Sequence, residues 1–299
     1  MIQKNSPESR RLLVALVGVP RFFDSVLPSL VIKLAQAGAN VLGRFWRYRG
    51  EHIPQTNPMT FKVPASNEDW KTIGKLAFSS FETAEPLGDI QVMFDPRKHV
   101  QVSQLGLTPN PTASFSWLMA LKLGADALSE VDSEYEFDFW MLCRPDLKIS
   151  GFALKRLLSK LRSDPSFTTT SIATASRARA HRVLFTGENL LNLPIDHFFI
   201  GRPEAISKFS DLDQLLNKIR LGEDTSQPLV NEFVLGGFLS SRGLHEYPIR
   251  FPYIIWRGDW ISSFKGHGRK GPGQFLTIVK AVNWAAVSFL RPGLHKKGL

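Results

Sequence analysis

The chain has 299 residues, with 37 Lys and Arg against 27 Asp and Glu, and therefore a formal net charge of +10. Its 43% of hydrophobic and 21% of charged residues allow a sizeable core, which excludes a disordered chain or a histone-like basic tail. A single cysteine, Cys143, excludes an intrachain disulfide framework, so a reducing cytoplasm is the expected compartment. The basic excess predicts an anionic partner, with nucleotide, nucleic acid and acidic lipid all open.

Apolar runs alternate with helical patterns along the chain. The first run, Leu12–Val17, is typical of a strand that is covered on both faces, and Asp24–Gln36 after it has helical periodicity. Later runs continue this alternation, with strands predicted at Ile90–Phe94, Phe137–Cys143 and Phe198–Ile200 and helices at Ser114–Leu128, Gly151–Arg162, Glu204–Lys218 and Leu229–Leu239. The polar, Pro-containing stretches Gly50–Ala65 and Thr108–Thr112 are expected to be loops. The alternation predicts one α/β domain, residues 1–260, in which a mostly parallel sheet lies between two layers of helices.

Residues 261–299 form a basic C-terminal segment with an amphipathic pattern. Within it, Phe275–Leu290 is apolar except for Lys280 and Asn283, and is shorter than the roughly 20 residues that a bilayer-spanning helix needs. Basic residues flank this run on both sides, which suits either a helix that lies on an anionic membrane surface or a terminal helix packed on the core. The N-terminal apolar run Leu12–Val19 has no cleavage site after it, so export is not expected.

The residues that follow two of the strands are the first candidates for a site, because open α/β sheets bind ligands beyond the carboxyl ends of their strands. Gly18 and Arg21 come between the first strand and its helix, where glycine permits a close backbone approach and arginine binds phosphate. The N-terminus of the helix would add unpaired N–H groups. The segment has neither a Walker loop nor a GxGxxG fingerprint, and an ordinary tight turn is the alternative.

A second candidate follows the strand Phe137–Cys143, which leads directly into Arg144-Pro145-Asp146-Leu147. An adjacent cation and carboxylate at the carboxyl edge of the sheet would meet a diphosphate or a divalent ion there. The alternative is a structural Arg–Asp pair that closes the end of the strand.

Two further carboxylates stand at the starts of predicted elements. Asp196 precedes His197 and the strand Phe198–Ile200, and Glu232 begins a helical run. Either carboxylate is a candidate general base for a hydroxyl nucleophile. For Glu232 the alternative is an acid in the first turn of a helix, where the helix dipole favours it. The aromatic and apolar neighbours of His197 favour a strand-edge core position over a catalytic one.

Taken together, four segments resemble one family of enzymes. GVPRFF from Gly18, FDFWMLCRPDL from Phe137, DHFFIGRP from Asp196 and NEFVLGGFL from Asn231 resemble, in this order, the bacterial and viral glycosyltransferases of capsule and lipopolysaccharide type. The resemblance extends from about Arg11 to about Leu244. It implies a GT-A-like, Rossmann-like fold that binds nucleotide-diphospho-sugars and has R-P-D-L in place of the metal-binding D-x-D.

The resemblance also implies how the donor would be held. Gly18 and Arg21 would border the nucleotide, and Arg144 with Asp146 would hold the donor diphosphate, whose departure a guanidinium can stabilise. Asp146 is also a candidate ligand for Mg²⁺ or Mn²⁺. The first acid of a D-x-D falls at Arg144, however, so metal-dependent and metal-independent transfer both stay open.

On the acceptor side, the resemblance implies that Glu232 or Asp196 deprotonates a hydroxyl, with Glu232 preferred. The predicted enzyme therefore moves a sugar from a nucleotide-diphospho-sugar to a glycan or lipid-linked glycan in surface polysaccharide synthesis. It would be cytoplasmic, with contact to the inner face of the membrane through Phe275–Leu290.

Two other functions compete with this one. GVPR also resembles the start of the phosphosulfate-binding loop of sulfotransferases, although Phe22 and Phe23 stand where that loop has hydroxyl donors. A non-enzymatic alternative uses the aromatic and basic stretch Arg44–Arg49 as a platform for single-stranded nucleic acid. A solvated strand edge with buried aromatic rings is the preferred interpretation of that stretch. Nucleic acid therefore ranks third among the anionic partners.

Overall fold

The computed structural model describes residues 12–47, 63–84, 111–175, 197–221, 231–249 and 253–255. In chain order they form β1 (Leu12–Gly18), α1 (Val26–Gln36), β2 (Ala39–Trp46), α2 (Asn67–Gly74), β3 (Ser80–Ala84), α3 (Pro111–Val131), β4 (Phe139–Cys143), β5 (Leu147–Ile149), α4 (Gly151–Ser163), β6 (Ser171–Ala175), β7 (Phe198–Gly201), α5 (Pro203–Ile206), a 3₁₀ turn (Ser207–Asp211), α6 (Leu212–Leu221), α7 (Asn231–Ser241), β8 (His245–Ile249) and β9 (Tyr253–Ile255).

Seven of these strands form one sheet in the order β3-β2-β1-β4-β7-β6-β8, while β5 and β9 pair in a separate two-stranded ribbon. The first four strands run parallel to one another, as do β6 and β8. β7 runs antiparallel to both of its neighbours, β4 and β6. The prediction of an α/β fold with a mostly parallel sheet is confirmed.

β1 is buried along its whole length because helices cover both faces of the sheet. Its even-numbered residues from 12 to 16 belong to the core that α1 and α4 cover. Its odd-numbered residues from 13 to 17 belong to a second core, which α3, α5, α6 and α7 cover. Successive side chains of a strand point to opposite faces, so a strand between two cores is apolar at every position. The predicted helical layers on both faces are therefore present.

α3 packs closely across the centre of the sheet and reaches its carboxyl edge. A Cβ atom at Gly124 would lie only 2.5 Å from Cγ1 of Val17 and 2.7 Å from Cδ2 of Leu142, so the glycine allows the helix to approach the strands. Nearer its N-terminus, α3 carries Trp117, whose ring lies 3.7 Å from the place a Cβ atom at Gly18 would take. Trp117 of α3 therefore lies next to the end of β1.

Several predicted elements are found with shifted ends, and two predictions are wrong. The predicted helix Glu204–Lys218 is broken, because α5 ends at Ile206 and a 3₁₀ turn separates it from α6. The predicted loop Thr108–Thr112 is wrong at its end, since α3 begins at Pro111, and proline suits the first turn of a helix. The predicted strand Ile90–Phe94 lies outside the described residues.

The C-terminal prediction also lies outside the described residues, because it concerns residues 261–299. The contact of Phe275–Leu290 with membrane or core therefore stays a prediction. Within the described ranges, none of the helices combines the length and the apolar character that a bilayer-spanning segment requires.

Candidate functional site

The winding of the sheet reverses between β1 and β4. From β1 the chain continues outward through β2 to β3, and β4 then lies on the opposite side of β1. At such a switch point the connections after the two strands diverge and leave a crevice, which is where open α/β sheets bind ligands. The residues after β1 and β4 therefore border this crevice, and they include Gly18, Arg21, Arg144 and Asp146.

A buried carboxylate lies at the centre of the crevice. The Asp146 side chain is 3% exposed, and its two oxygens accept hydrogen bonds from Nε and Nη2 of Arg144 at 2.9 and 2.7 Å. Nη1 of Arg21 lies 3.8 Å from Oδ2 of Asp146. The structure thus brings together three predicted site residues from two strand ends, and two of the three are cations.

Asp146 stays ionised in spite of its burial. Burial opposes the charged form, but the charge and hydrogen bonds of Arg144, with contributions from Arg21 and His197, outweigh it and lower the pKa of Asp146 to about 2. Asp146 is therefore an anion at physiological pH. Its role in the cluster is to orient Arg144, and an acid or base role would require a higher pKa.

The surroundings of Asp146 do not fit a divalent cation. Both carboxylate oxygens accept hydrogen bonds from Arg144, and a second guanidinium lies beside them. Mg²⁺ and Mn²⁺ are held by free carboxylate oxygens together with water or phosphate oxygens, and here both carboxylate oxygens are already engaged by a cation. In the part of the chain that the structure describes, no three His, Cys, Asp or Glu side chains are grouped as a metal site.

Gly18 and the turn after it shape the opposite wall of the crevice. Gly18 has a φ of +99°, which strains any residue with a side chain, and Phe22 also has a positive φ of 52°. The carbonyl of Phe22 accepts hydrogen bonds from the backbone N–H groups of Ser25, Val26 and Leu27 at 2.9 to 3.4 Å. The first N–H groups of α1 are therefore already engaged, and this helix offers less to an anion than the sequence predicts.

Trp117 is a residue of the crevice that the sequence analysis did not single out. Its ring lies next to Gly18, and Cζ of Arg144 is 5.9 Å from the ring centroid, within the range of a cation–π contact. Its Nε1 is buried, and the described residues give it no hydrogen-bond acceptor. The position of Trp117 depends on how α3 packs on the sheet, so no local pattern in the sequence indicates it.

His197 and Tyr253 form the third side of the cluster. The carbonyl of His197, just before β7, accepts a hydrogen bond from the backbone N–H of Arg144 at 3.2 Å. Nδ1 of His197 lies 2.7 Å from the hydroxyl of Tyr253 on β9. β9 pairs with β5, which begins directly after Asp146. His197 lies directly before β7, as predicted, but it is only partly buried and so does not have the core position that its apolar neighbours predict.

The two candidate bases stay predictions. Glu232 is the second residue of α7, which is the first-turn position that the dipole alternative predicts. Asp196 adjoins His197 in the sequence and lies outside the described residues.

The described part of the stretch Arg44–Arg49, residues 44–47, does not form an exposed aromatic platform. The side chains of Phe45 and Trp46 are buried, and β2 lies between β1 and β3. Arg44 donates hydrogen bonds to the Gly43 carbonyl and the Ser80 hydroxyl and forms an ion pair with Glu82. Buried rings cannot stack on bases, so these residues do not support nucleic-acid binding.

Comparisons with known proteins identify no family for this chain. No protein-family model matches the chain, and no curated protein matches it.

Proposed function

We propose that this protein is a glycosyltransferase that takes a sugar from a nucleotide-diphospho-sugar and attaches it to a hydroxyl of a surface glycan or lipid-linked glycan. The observation that carries the proposal is the convergence of Arg21 and Arg144 on buried Asp146 at the switch point of the sheet. The resemblance of the R-P-D-L segment to capsule and lipopolysaccharide transferases supplies the class of reaction.

A pair of guanidinium groups suits the charge change in glycosyl transfer. When the bond from the anomeric carbon to the phosphate oxygen breaks, its electron pair leaves with the nucleoside diphosphate. Fixed cations stabilise that charge best when they need no rearrangement, and the two hydrogen bonds to Asp146 hold Arg144 in place beforehand. In this mechanism Asp146 positions the arginine, and the two arginines bind the diphosphate.

The same crevice has features that suit the rest of the donor. The order β3-β2-β1-β4 matches the first four positions of the 3-2-1-4-5-6 order of dinucleotide-binding doubly wound sheets, where the ligand lies at the switch point between strands 1 and 4. The ring of Trp117 supplies an apolar wall beside Gly18, on which a base or sugar ring would stack.

The acceptor side of the proposal depends on the resemblance to capsule and lipopolysaccharide glycosyltransferases. It assigns Glu232, or else Asp196, as the base that takes the proton of the acceptor hydroxyl. A cytoplasmic location, with contact to the inner face of the membrane through Phe275–Leu290, belongs to the same proposal because of the basic flanks of that segment.

Calorimetric titration of nucleosides, nucleoside monophosphates and nucleoside diphosphates into wild-type protein and Arg21→Ala tests the donor site. Arg21 is the informative position, because its side chain is 37% exposed and its removal leaves Asp146 paired with Arg144. We expect the diphosphate to bind tightest and Arg21→Ala to weaken it by about 10- to 100-fold, the effect of losing a charged hydrogen bond. Nucleoside affinity should be unchanged.

Arg156→Ala removes an exposed arginine on α4 and is the matched control. Chelation with EDTA should leave diphosphate affinity within twofold, since guanidinium groups occupy the place of a metal. A diphosphate that binds no better than its nucleoside, or an Arg21→Ala variant with full affinity, would contradict the donor site. Transfer activity across a panel of nucleotide-sugars then tests the reaction itself.

A further inference from the structure

The outer side of α4 is a cationic stripe that begins with an exposed aromatic ring. Four leucines face the core on the inner side of the helix: Leu154, Leu157, Leu158 and Leu161. The opposite side carries exposed residues at intervals of three or four positions, which form a single stripe: Phe152, Lys155, Arg156, Ser159 and Lys160. We call these five residues the α4 face.

Phe152 is the most exposed large hydrophobic side chain of the described residues, at 64%, and Ile32 on α1 is the next at 55%. The two helices touch each other at this place, because a Cβ atom at Gly151 would lie 2.9 Å from the carbonyl oxygen of Lys33. Ile32 precedes Lys33 in the sequence and Phe152 follows Gly151, so both exposed apolar residues adjoin the contact between the two helices. They place apolar surface at the N-terminal end of the α4 face.

Of the cations of the α4 face, Lys160 lies close enough to the carboxylate of Asp164 for the two charges to interact. The other cations are not neutralised locally by the described residues. α4 contains no acidic residue, and the described residues provide no ion-pair partner for Lys33, Lys155 or Arg156. Lys33 also lies close enough to Lys148 for the two positive charges to interact, and burial together with Lys33 lowers the pKa of Lys148. This concentration of cations favours an anionic partner.

We propose that the α4 face, together with Ile32 and Lys33, docks the protein onto an anionic membrane surface. The cations would attract lipid head groups while Phe152 and Ile32 enter the boundary between head groups and acyl chains, as in interfacial amphipathic helices. A lipid surface fits better than a nucleic acid, because it offers an apolar phase to both Phe152 and Ile32, whereas bases would stack only on the aromatic ring of Phe152. This surface shares no residue with the proposed donor site or with the predicted membrane segment Phe275–Leu290.

Co-flotation of the full chain with phosphatidylcholine vesicles, with and without phosphatidylserine, tests the proposal. We expect binding only to the anionic vesicles, and weaker binding at high salt. Lys155→Gln with Arg156→Gln should lower the partition coefficient by about fivefold for each cation, or about 25-fold together. Phe152→Ser should lower it as well, because the inserted ring is lost.

The controls change the same residue types elsewhere on the surface. One control combines Lys71→Gln on α2 with Lys75→Gln directly after it, and the other is Tyr135→Ser, which removes an exposed ring. Both should bind vesicles like the wild type. Unchanged melting temperatures show that the α4 variants fold. Three results would overturn the proposal: no binding of the wild type to anionic vesicles, binding of the α4 variants equal to that of the wild type, or binding of oligonucleotides and not vesicles by the α4 face.

A labelled cysteine separates the α4 face from any contribution of the C-terminal segment. The native Cys143 is fully buried, and burial raises the pKa of its thiol, so an added surface cysteine can be labelled selectively. An environment-sensitive dye at Ser159→Cys should brighten on anionic vesicles and be quenched by brominated lipids. The same dye at Thr72→Cys on α2 should not respond. Equal responses at the two positions would contradict docking through α4.

Discussion

Arg144 and Asp146 form a structural ion pair to which we also assign the proposed donor site. Burial would make a lone carboxylate at position 146 costly, and two hydrogen bonds from Arg144 compensate for it. The same bonds fix the guanidinium in the crevice, where Arg21 and Trp117 meet it. The sequence leaves two interpretations of R-P-D-L open, a strand-end ion pair and a ligand site. The ion pair is present in the structure, and its position at the switch point of the sheet is compatible with the proposed ligand site.

Asp146→Asn tests how much the ionised carboxylate stabilises the fold. Its pKa in the folded state is about 2, against an ordinary value of 3.8, so the folded protein binds fewer protons in this range. The stabilisation is therefore complete above about pH 4 and is lost as the pH falls through 2. We expect Asp146→Asn to lower the free energy of unfolding by about 2 kcal/mol at pH 7, measured by urea denaturation.

The difference in the free energy of unfolding between Asp146→Asn and wild type should shrink toward pH 2, where the native carboxyl is itself protonated. Asp126→Asn is the matched control, because Asp126 is 40% exposed in its ion pair with Lys122. Such a surface pair contributes about 0–1 kcal/mol. If Asp146→Asn lowers the free energy of unfolding by the same amount at every pH between 2 and 7, the ionised carboxylate of Asp146 is not the source of the stabilisation.

Glu246 on β8 titrates in the opposite sense. Burial raises its pKa to about 7, and the described residues give its carboxylate no hydrogen bond or ion pair. The folded state therefore holds this proton between about pH 4.5 and 7, and stability falls as the pH rises through that range. Thermal unfolding at pH 8 should show Glu246→Gln to be more stable than wild type by about 1 kcal/mol, and at pH 4 the two should be equal. Equal stability at both pH values would show that Glu246 is solvated.

At the scale of elements, α3 connects the core to the crevice. Gly124 in its middle lets the helix lie close to β1 and β4, and Trp117 nearer its N-terminus borders Gly18 and Arg144. A displacement of α3 relative to the sheet would therefore change both the packing of the core and the wall of the crevice.

Gly124→Ala tests the close packing of α3. In an exposed helix this change would stabilise the protein by about 0.5–1 kcal/mol, because alanine restricts the unfolded chain. Here the new Cβ would meet Val17 at 2.5 Å, and overpacking costs about 1–3 kcal/mol, so we expect a net loss of about 1–2 kcal/mol in chemical denaturation. Gly74→Ala in α2 is the control, since its Cβ would lie 3.5 Å from Phe81. A stabilised Gly124→Ala variant would contradict the contact.

At the scale of the whole molecule, one sheet serves two cores. The cluster under α1 and α4 and the cluster under α3, α5, α6 and α7 both include residues of β1 and β4. Neither cluster can lose its strands without exposing the other. The described sheet is therefore expected to unfold as one unit.

Leu30→Ala and Leu121→Ala test this coupling from the two sides of the sheet. Both leucines are fully buried, one in each core, and each substitution should cost about 2–5 kcal/mol. Circular dichroism and tryptophan fluorescence should report a single, coincident transition for both variants. Ile32→Ala, at a position that is 55% exposed, should be nearly neutral. Two separate transitions would show that the cores are independent.

Local sequence signals suffice for the long or fully buried elements and fail for the short ones. β1, α1, α3, β4, α4 and β7 were predictable because each carries a continuous apolar run or a helical period. β5 and β9 have three residues each, too few for a periodic signal, and pair only after distant segments meet. Between Pro203 and Leu221 the buried apolar residues keep helical spacing through the 3₁₀ turn, so this period does not show the break. Ser207, Ser210 and Asp211 are weak helix formers in the turn, but they do not by themselves locate it.

Local sequence patterns were enough to predict the α/β class, the central apolar strand and the positions of Arg21, Arg144 and Asp146 after strands, because apolar periodicity and strand ends are local properties. The tertiary structure alone decided that both arginines meet one buried carboxylate, since this depends on β1 and β4 being neighbours at the switch point. It also decided that Trp117, His197 and Tyr253 join them. These three come from elements far apart in the chain, and a contact between distant segments is a property of how helices and strands pack.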